Sequence, residues 1–465
     1  MPAPESSKPD PPGRTLVTRR TVLTGGLLTV GFTLWGISGR LSPAQIQAHA
    51  TLDTKPLHAS TVAFTGLSTR EAVSSAADLV PGTRVVASSQ YADLLVQREK
   101  SWLASLAPWT REGPYAELIR DAYLDIFALS EELPAPVAGW STYWRYVWPR
   151  DTAHVAVAFS AAGDSARAHR SLDFLARLPR TSRGWFEARY TLDGSGAPDD
   201  RAPQFDGLGW AAWALGWIHE HSDNQEQFRS RYSAFAAELA DSLVHNVEAT
   251  DGQVPVSSDY WEIRERTITL GTAAPTLAGL QWLIPFLEAS GDTDRAERCT
   301  AAAHSVDAYI LDVFGKRGYP RHADGYTLDS AVAFLLPPYT REISNRDGVI
   351  AAMRRAETIM LQPAGGLSPG EDWHEDGVSW TPETAVFALA NATLGTADGT
   401  IVGQRGLTWL ESHRTDAGTF PEKVLADGNP SAVAPLAWTA ACVALSAHAL
   451  RVRRPAGAGA GTVGT

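Results

Sequence analysis

From Tyr115 to Val452, apolar residues recur three and four apart, and Gly, Pro, Asp and Ser interrupt them at intervals. That is the spacing of amphipathic helices that each bury one face. In 117–129 the apolar positions are Leu118, Tyr123, Ile126 and Phe127. The same reading predicts helices over 152–162, 165–178, 207–219, 224–249, 275–289 and 293–311. It extends to 329–336, 347–360, 382–394, 398–412 and 434–452. Two of the breaks are near copies, Ala162-Gly163-Asp164-Ser165-Ala166-Arg167-Ala168 and Ser290-Gly291-Asp292-Thr293-Asp294-Arg295-Ala296. In each, Gly ends one helix and Asp or Ser caps the next. The likeness predicts stacked helical hairpins, though not at a fixed repeat period. Strand-like patches are short, at 84–88 and 185–191, and no strand–helix alternation calls for a parallel sheet. About twelve helices with little strand between them predict an all-α toroid.

The 465 residues suffice for one large domain or two ordinary ones. Residues 51–110 are expected to form a small N-terminal extension packed on a helical barrel of 111–453, and the Gly/Ala-rich 454–465 reads as a disordered tail. Residues 1–50 read as an export signal. Thr18-Arg19-Arg20-Thr21-Val22-Leu23 resembles the twin-arginine signature, an apolar run follows to Ile37, and Ala48-His49-Ala50 is a small-x-small cleavage pattern. An uncleaved membrane anchor is the alternative, because the apolar run approaches spanning length. Either way the folded part lies outside the cytoplasm, and any membrane contact is through that N-terminal segment.

Hydrophobic residues make up 44% and charged residues 20%, as in a soluble globular protein with a large core. The formal net charge is -12, with no Lys/Arg block after the N-terminus, which argues against a nucleic-acid partner. Sixteen Trp residues change the picture more. Most fill a helical core, but indole faces also stack on sugar rings. The two cysteines, Cys299 and Cys442, cannot build a metal site and are expected to be core thiols, with a disulfide left open.

Candidate chemistry sits in the connections. Glu262 in Asp259-Tyr260-Trp261-Glu262 and Glu422 in Phe420-Pro421-Glu422 each follow a bulky residue, where neither is needed to start or cap a helix. Two carboxylates beside aromatic residues are what glycosidic cleavage requires: one protonated toward the leaving oxygen, one ionised on the opposite side of the sugar. Upstream stand Trp148-Pro149-Arg150-Asp151 and Ala202-Pro203-Gln204-Phe205-Asp206-Gly207, and between the glutamates Gly365-Gly366-Leu367-Ser368-Pro369-Gly370-Glu371-Asp372-Trp373. In this order, over roughly residues 110–450, the blocks resemble glycoside hydrolase family 15, the glucoamylase family.

That resemblance implies an (α/α)6 barrel of six inner and six outer helices with the active site at one mouth. It implies Glu262 as general acid and Glu422 as general base. The terminal sugar would be bound by Trp148, Arg150 and Asp151, with further contacts from Gln204, Tyr260, Trp261, Glu371 and Trp373. Trp261 is expected to wall Glu262 off from water. Plainer readings stand beside these. Asp151 and Asp206 are each placed to cap a helix, and Glu371 to Asp376, with His374 and Glu375, could form a solvated turn. Glu265 is expected to pair with Arg264 or Arg266 at the surface. Lys423, where the family commonly has Gln, is expected to face solvent. Ile263 replaces a second Glu common after the acid, and the arginine common in the 365–373 loop is missing; both leave linkage preference open.

The function this implies is an inverting, exo-acting α-glucosidase releasing β-glucose from oligosaccharide or glucan ends, with no cofactor and no metal. No starch-binding module is visible, which favours short malto- or isomalto-oligosaccharides. Two alternatives remain. One is a helical-barrel enzyme on another glycan, such as a trehalase, a phosphorylase or a non-glucose glycosidase. The other is an inactive sugar-binding envelope protein.

Overall fold

A computed structural model describes residues 61–452, except residue 198. The twin-arginine segment and the tail at 454–465 lie outside the described residues.

Apolar stripes of the predicted period form helices at nearly every predicted place, and they close into a ring. The inner ring consists of α3 (Pro149–Ala161), α5 (Asp206–Glu220), α7 (Leu270–Ala289), a 3-10 helix at Ser330–Leu335, α10 (Thr381–Thr393) and α12 (Ala437–Val452). Each packs on the next, and α12 returns to pack on α3. Outside stand α2 (Ala116–Ser130), α4 (Ser165–Arg177), α6 (Gln225–Glu248), α8 (Thr293–Tyr309), α9 (Arg346–Ile359) and α11 (Ala397–Ser412), each against an inner neighbour. This is an (α/α)6 barrel.

Inner helices are apolar nearly all round because both faces are covered. α7 is long and apolar enough to cross a membrane, yet it is mostly buried inside the barrel wall. Its predicted start at residue 275 is corrected to Leu270, with Pro275 inside the helix. Here α5 and α7 approach backbone to backbone. A Cβ on Gly209 would lie 2.1 Å from the Pro275 carbonyl oxygen, and one on Gly216 would lie 2.3 Å from that of Trp282. Only glycine fits at this distance.

The two near-copy breaks are the same joint. Gly163 and Gly291 take φ of 81° and 77°. Asp164 then accepts from the Arg167 N–H at 3.1 Å and pairs with its guanidinium at 2.8 Å. Asp292 does the same to Arg295, at 3.4 and 2.7 Å. Cys299 and Cys442 are buried free thiols.

Three expectations fail locally. Residues 329–336 form a 3-10 helix, not an α-helix, with Asp329 capping the Ala331 N–H and the Pro337-Pro338 pair following directly. The patches at 84–88 and 185–191 make isolated bridges, not strands. The strands are instead the hairpin β1 (Thr61–Phe64) and β2 (Arg70–Val73), and a small sheet of β3 (Ser379–Trp380), β4 (Lys423–Val424) and β5 (Pro430–Ser431). An unpredicted helix, α1 (Ala92–Ser105), lies with the hairpin against α2, where Trp102 stacks on Phe127 at 4.4 Å and buried Arg84 pairs with Asp125 at 2.8 Å.

Candidate active site

Inner elements all begin at one end of the barrel, and carboxylates cluster in their first turns. Asp151 lies in α3, Asp206 in α5, Asp329 caps the 3-10 helix, and Glu383 lies in α10. All four are buried. Helix N-termini favour negative charge, but burial opposes it. Asp151 is pushed up to about 6 by burial, although the Arg150 guanidinium works against the shift. Asp206 rises to about 7, again by burial first. Glu383 rises to about 8, by burial and then by the neighbouring Glu422 carboxylate. Asp151 does not cap α3, whose cap is Trp148, and Asp206 does not cap α5, whose cap is Phe205. Asp151 pairs with Arg150 at 3.1 Å, and Asp206 accepts from the Trp210 indole at 3.1 Å.

Segment 144–148 links the two glutamates. Trp144 Nε1 donates to Glu422 Oε1 at 3.0 Å, and Trp148 Nε1 donates to Glu262 Oε1. Both indoles belong to one apolar cluster with Val433 and Leu436. Arg150 closes the group: its guanidinium lies 4.5 Å over the Trp438 ring and within the electrostatic reach of Glu262 and Glu383. Its Nε and Nη1 are buried and have no hydrogen-bond partner among the described residues, and the same holds for Trp438 Nε1. Buried donors of this kind call for a polar ligand, because leaving them unpaired costs about 1–3 kcal/mol each.

Glu262 sits on a tight turn at φ 59°, a left-handed conformation that disfavours side chains larger than glycine. Its N–H bonds the Asp259 carbonyl at 2.8 Å. A buried arginine clamps this turn: Arg321 pairs with Asp259 at 2.9 Å, Glu265 at 2.6 Å and Asp329 at 2.8 Å. Gln204 supports it from below, donating to the Asp259 carbonyl at 3.0 Å, and the Tyr260 hydroxyl donates to Asp329 at 2.9 Å. Glu265 is therefore not in a surface pair. It is buried between Arg321 and His322, because the Arg321 charge needs compensation inside the protein. Nor does Trp261 cover the Glu262 carboxyl. Its ring lies 3.8 Å from the Arg321 guanidinium and edge-on to Trp373, and the groups on the Glu262 carboxylate are Trp148 and Arg201.

Glu422 is held by backbone. Its N–H bonds the Val433 carbonyl at 2.8 Å, and its carbonyl accepts from Thr381 at 3.0 Å. Lys423 does not face solvent. It is buried, with Nζ 4.0 Å from Glu422 Oε2 and 4.3 Å above the Trp380 ring. The small sheet forces this inward register. Trp373 stands between Trp261 and Trp380, an indole row from the Glu262 turn to the Glu422 strand. Glu371 is exposed and serves the backbone: its carboxylate accepts from the Leu328 N–H at 3.0 Å. His374, Glu375 and Asp376 are exposed, and no group of three or more metal-ligating side chains occurs among the described residues.

Five residues at this mouth escaped the sequence reading: Trp144, Arg189, Arg201, Arg321 and Glu383. Arg201 stands one position before the Ala202 block. Glu383 follows Pro382 by one residue and Asp151 follows Pro149 by two, so proline near an inner helix start was a usable signal. Arg321 had none.

No family model matches the chain. It is 22% identical over 313 residues to an uncharacterized glycosyl hydrolase of Methanocaldococcus jannaschii. That match takes in 64% of this chain, which spans about half (49%) of the relative's length. Among solved structures, a bacterial glucoamylase complexed with acarbose superposes with a TM-score of 0.62 at 16% identity, over 78% of this chain and 59% of that one. The glucoamylase of Saccharomycopsis fibuligera gives 0.60 at 13% identity, over 74% and 96%. A wild-type glycosidase gives 0.62 at 18% identity, over 73% and 97%. The chain therefore shares the fold of glucoamylase-like glycosidases.

Proposed function

We propose that this protein is a glycoside hydrolase, an inverting, exo-acting α-glucosidase that works outside the cytoplasm. One observation carries the reading: Trp144 and Trp148, four residues apart, place an indole donor on each of Glu422 and Glu262 at one mouth of the barrel. A binding protein has no need of such an acid–base pair. The glucoamylase names among the structural neighbours, one of them in complex with acarbose, support a glucoside substrate.

In this mechanism Glu262 gives its proton to the glycosidic oxygen as the C–O bond breaks. Glu422 takes a proton from the water that attacks the anomeric carbon from the other side. One displacement converts an α-glucoside to β-glucose, and the two carboxyls exchange protons with solvent to reset. Arg150 and Asp151 are the donors and acceptors for the terminal sugar's hydroxyls. The deciding experiment follows maltose and isomaltose hydrolysis by NMR. Initial release of β-glucose supports inversion; α-glucose, or a trapped glycosyl ester, overturns it. Export by the twin-arginine route has its own test: replacing Arg19 and Arg20 by Lys should leave the precursor in the cytoplasm.

A further inference from the structure

Beside Glu262 two neighbouring guanidinium groups, Arg189 and Arg201, have two carboxylates between them, Asp199 and Glu262. Arg150 pairs with Asp151 at 3.1 Å. Arg189 pairs with Asp199, and Arg201 pairs with Glu262 at 2.5 Å. Asp199 is already taken, lying 3.8 Å from Arg201 Nε, so Glu262 is the near partner of that arginine. The Arg201 side chain is only 10% exposed. Together with Arg189 it faces the Trp148 ring, at 5.6 and 5.1 Å. The position is fixed locally, since the Arg201 N–H bonds the Asp199 carboxylate at 3.3 Å.

This pairing conflicts with the work of an acid. A carboxyl that protonates a leaving oxygen must itself carry the proton, and Glu262 then no longer neutralises Arg201. Arg189 and Arg201 are then left to share the single carboxylate of Asp199, and cations held mostly out of water with too little negative charge are costly. The cost disappears if the substrate supplies the missing negative charge. The group that meets Arg201 is set by position: a side chain touching the acid lies beside the leaving group, not the terminal sugar. Resting on the glycosidase reading, we propose that Arg201 is a leaving-group binding residue, and that the preferred substrates are glycosides of 2-hydroxy carboxylic acids. In such a compound the carboxylate is one carbon from the glycosidic oxygen, close enough to reach Arg201 while that oxygen meets Glu262. Arg201 supplies a planar fork of donors that suits a carboxylate. The bound anion then takes the place of the Glu262 charge beside Arg201, so the two guanidinium groups again have two negative partners between them.

The test uses two α-glucosides identical except at one carbon: 2-O-α-glucosyl lactate and 2-O-α-glucosyl propane-1,2-diol. The full-length protein should cleave the lactate glucoside with kcat/KM at least tenfold higher. Arg201→Met should remove that preference by lowering kcat/KM for the lactate glucoside at least tenfold more than for the diol glucoside, and Arg201→Lys should restore part of it; thermal unfolding checks that both variants are folded. Equal rates in the wild type, or a preference that survives in Arg201→Met, would overturn the proposal. If neither glucoside is cleaved, the glucosidase reading fails, and lactate and propane-1,2-diol are titrated directly against the protein. Lactate binding that is tighter and lost in Arg201→Met keeps the inference; equal binding ends it.

Discussion

The two glutamates at the mouth are held in opposite ways. Glu422 is fixed through its main chain, by Val433 on one side and Thr381 on the other, and its side chain meets Trp144 and Lys423. Glu262 is fixed through its side chain, by Trp148 and Arg201, while its backbone stands in a left-handed turn. In the proposed mechanism Glu422 starts ionised and gains a proton from water, and main-chain anchors hold it in place in either charge state. Glu262, as the proposed acid, starts protonated and becomes ionised, so the charged partner on its side chain must tolerate both states. The backbone ladder suits the first task and a releasable ion pair the second.

The largest expected effect tests the two roles directly. Glu422→Gln should cut kcat by about a thousandfold or more on every substrate, because nothing else activates the water. Glu262→Gln should cost a similar factor on maltose, but less than about tenfold on α-glucosyl fluoride, whose departure needs little protonation. Equal loss on both substrates would break the assignment of Glu262 as the acid.

Next in size is the clamp beneath Glu262. Arg321→Met leaves Asp259, Glu265 and Asp329 without their shared cation and should destabilise the protein by about 3–5 kcal/mol, read by chemical denaturation. A loss below about 1 kcal/mol would mean that these carboxyls simply take up protons.

A pH series sharpens the Glu422 side. Burial raises Glu383 from 4.5 to about 8, so the fold accommodates its neutral form. That contribution is complete below the unfolded value of 4.5 and is lost as pH rises through about 8. Asp206 and Asp151, raised to about 7 and about 6, act with the same sign. Wild-type stability should therefore fall between about pH 5 and about pH 9, and Glu383→Gln should flatten the upper part of the fall. A slope unchanged in the variant would remove Glu383 from the account. The smallest effect is at Trp144. Trp144→Phe keeps the ring but loses the donor to Glu422 and should lower kcat by about tenfold, the worth of one hydrogen bond to a charged group.

The barrel was legible because each helix carries its own 3.6-residue pattern and its own stop, as the Gly163-Asp164 and Gly291-Asp292 joints show. The element at 330–335 was misread because its apolar run is too short to distinguish a 3-10 turn from an α-helix. At the mouth, Glu262, Glu422, Arg150 and Asp151 could be found because they lie in compact blocks. Arg321 could not, since it acts on Asp259 from 62 residues away and only closure of the ring makes them neighbours. Lys423 was misplaced for a similar reason. Its direction is set by pairing with Trp380 across a two-residue strand, which leaves no trace in the local pattern.

Position 262 is one where fold and chemistry ask for different residues. A φ of 59° suits glycine or asparagine, and glutamate occupies it under strain. Alanine, the usual choice for an inert variant, would keep the strain and lose the carboxylate. Asparagine tolerates the turn and keeps a polar amide there, drawn back from Trp148 and Arg201 by one methylene. It is thus the better choice for an inactive protein that keeps its shape, and for capturing an intact substrate at the mouth.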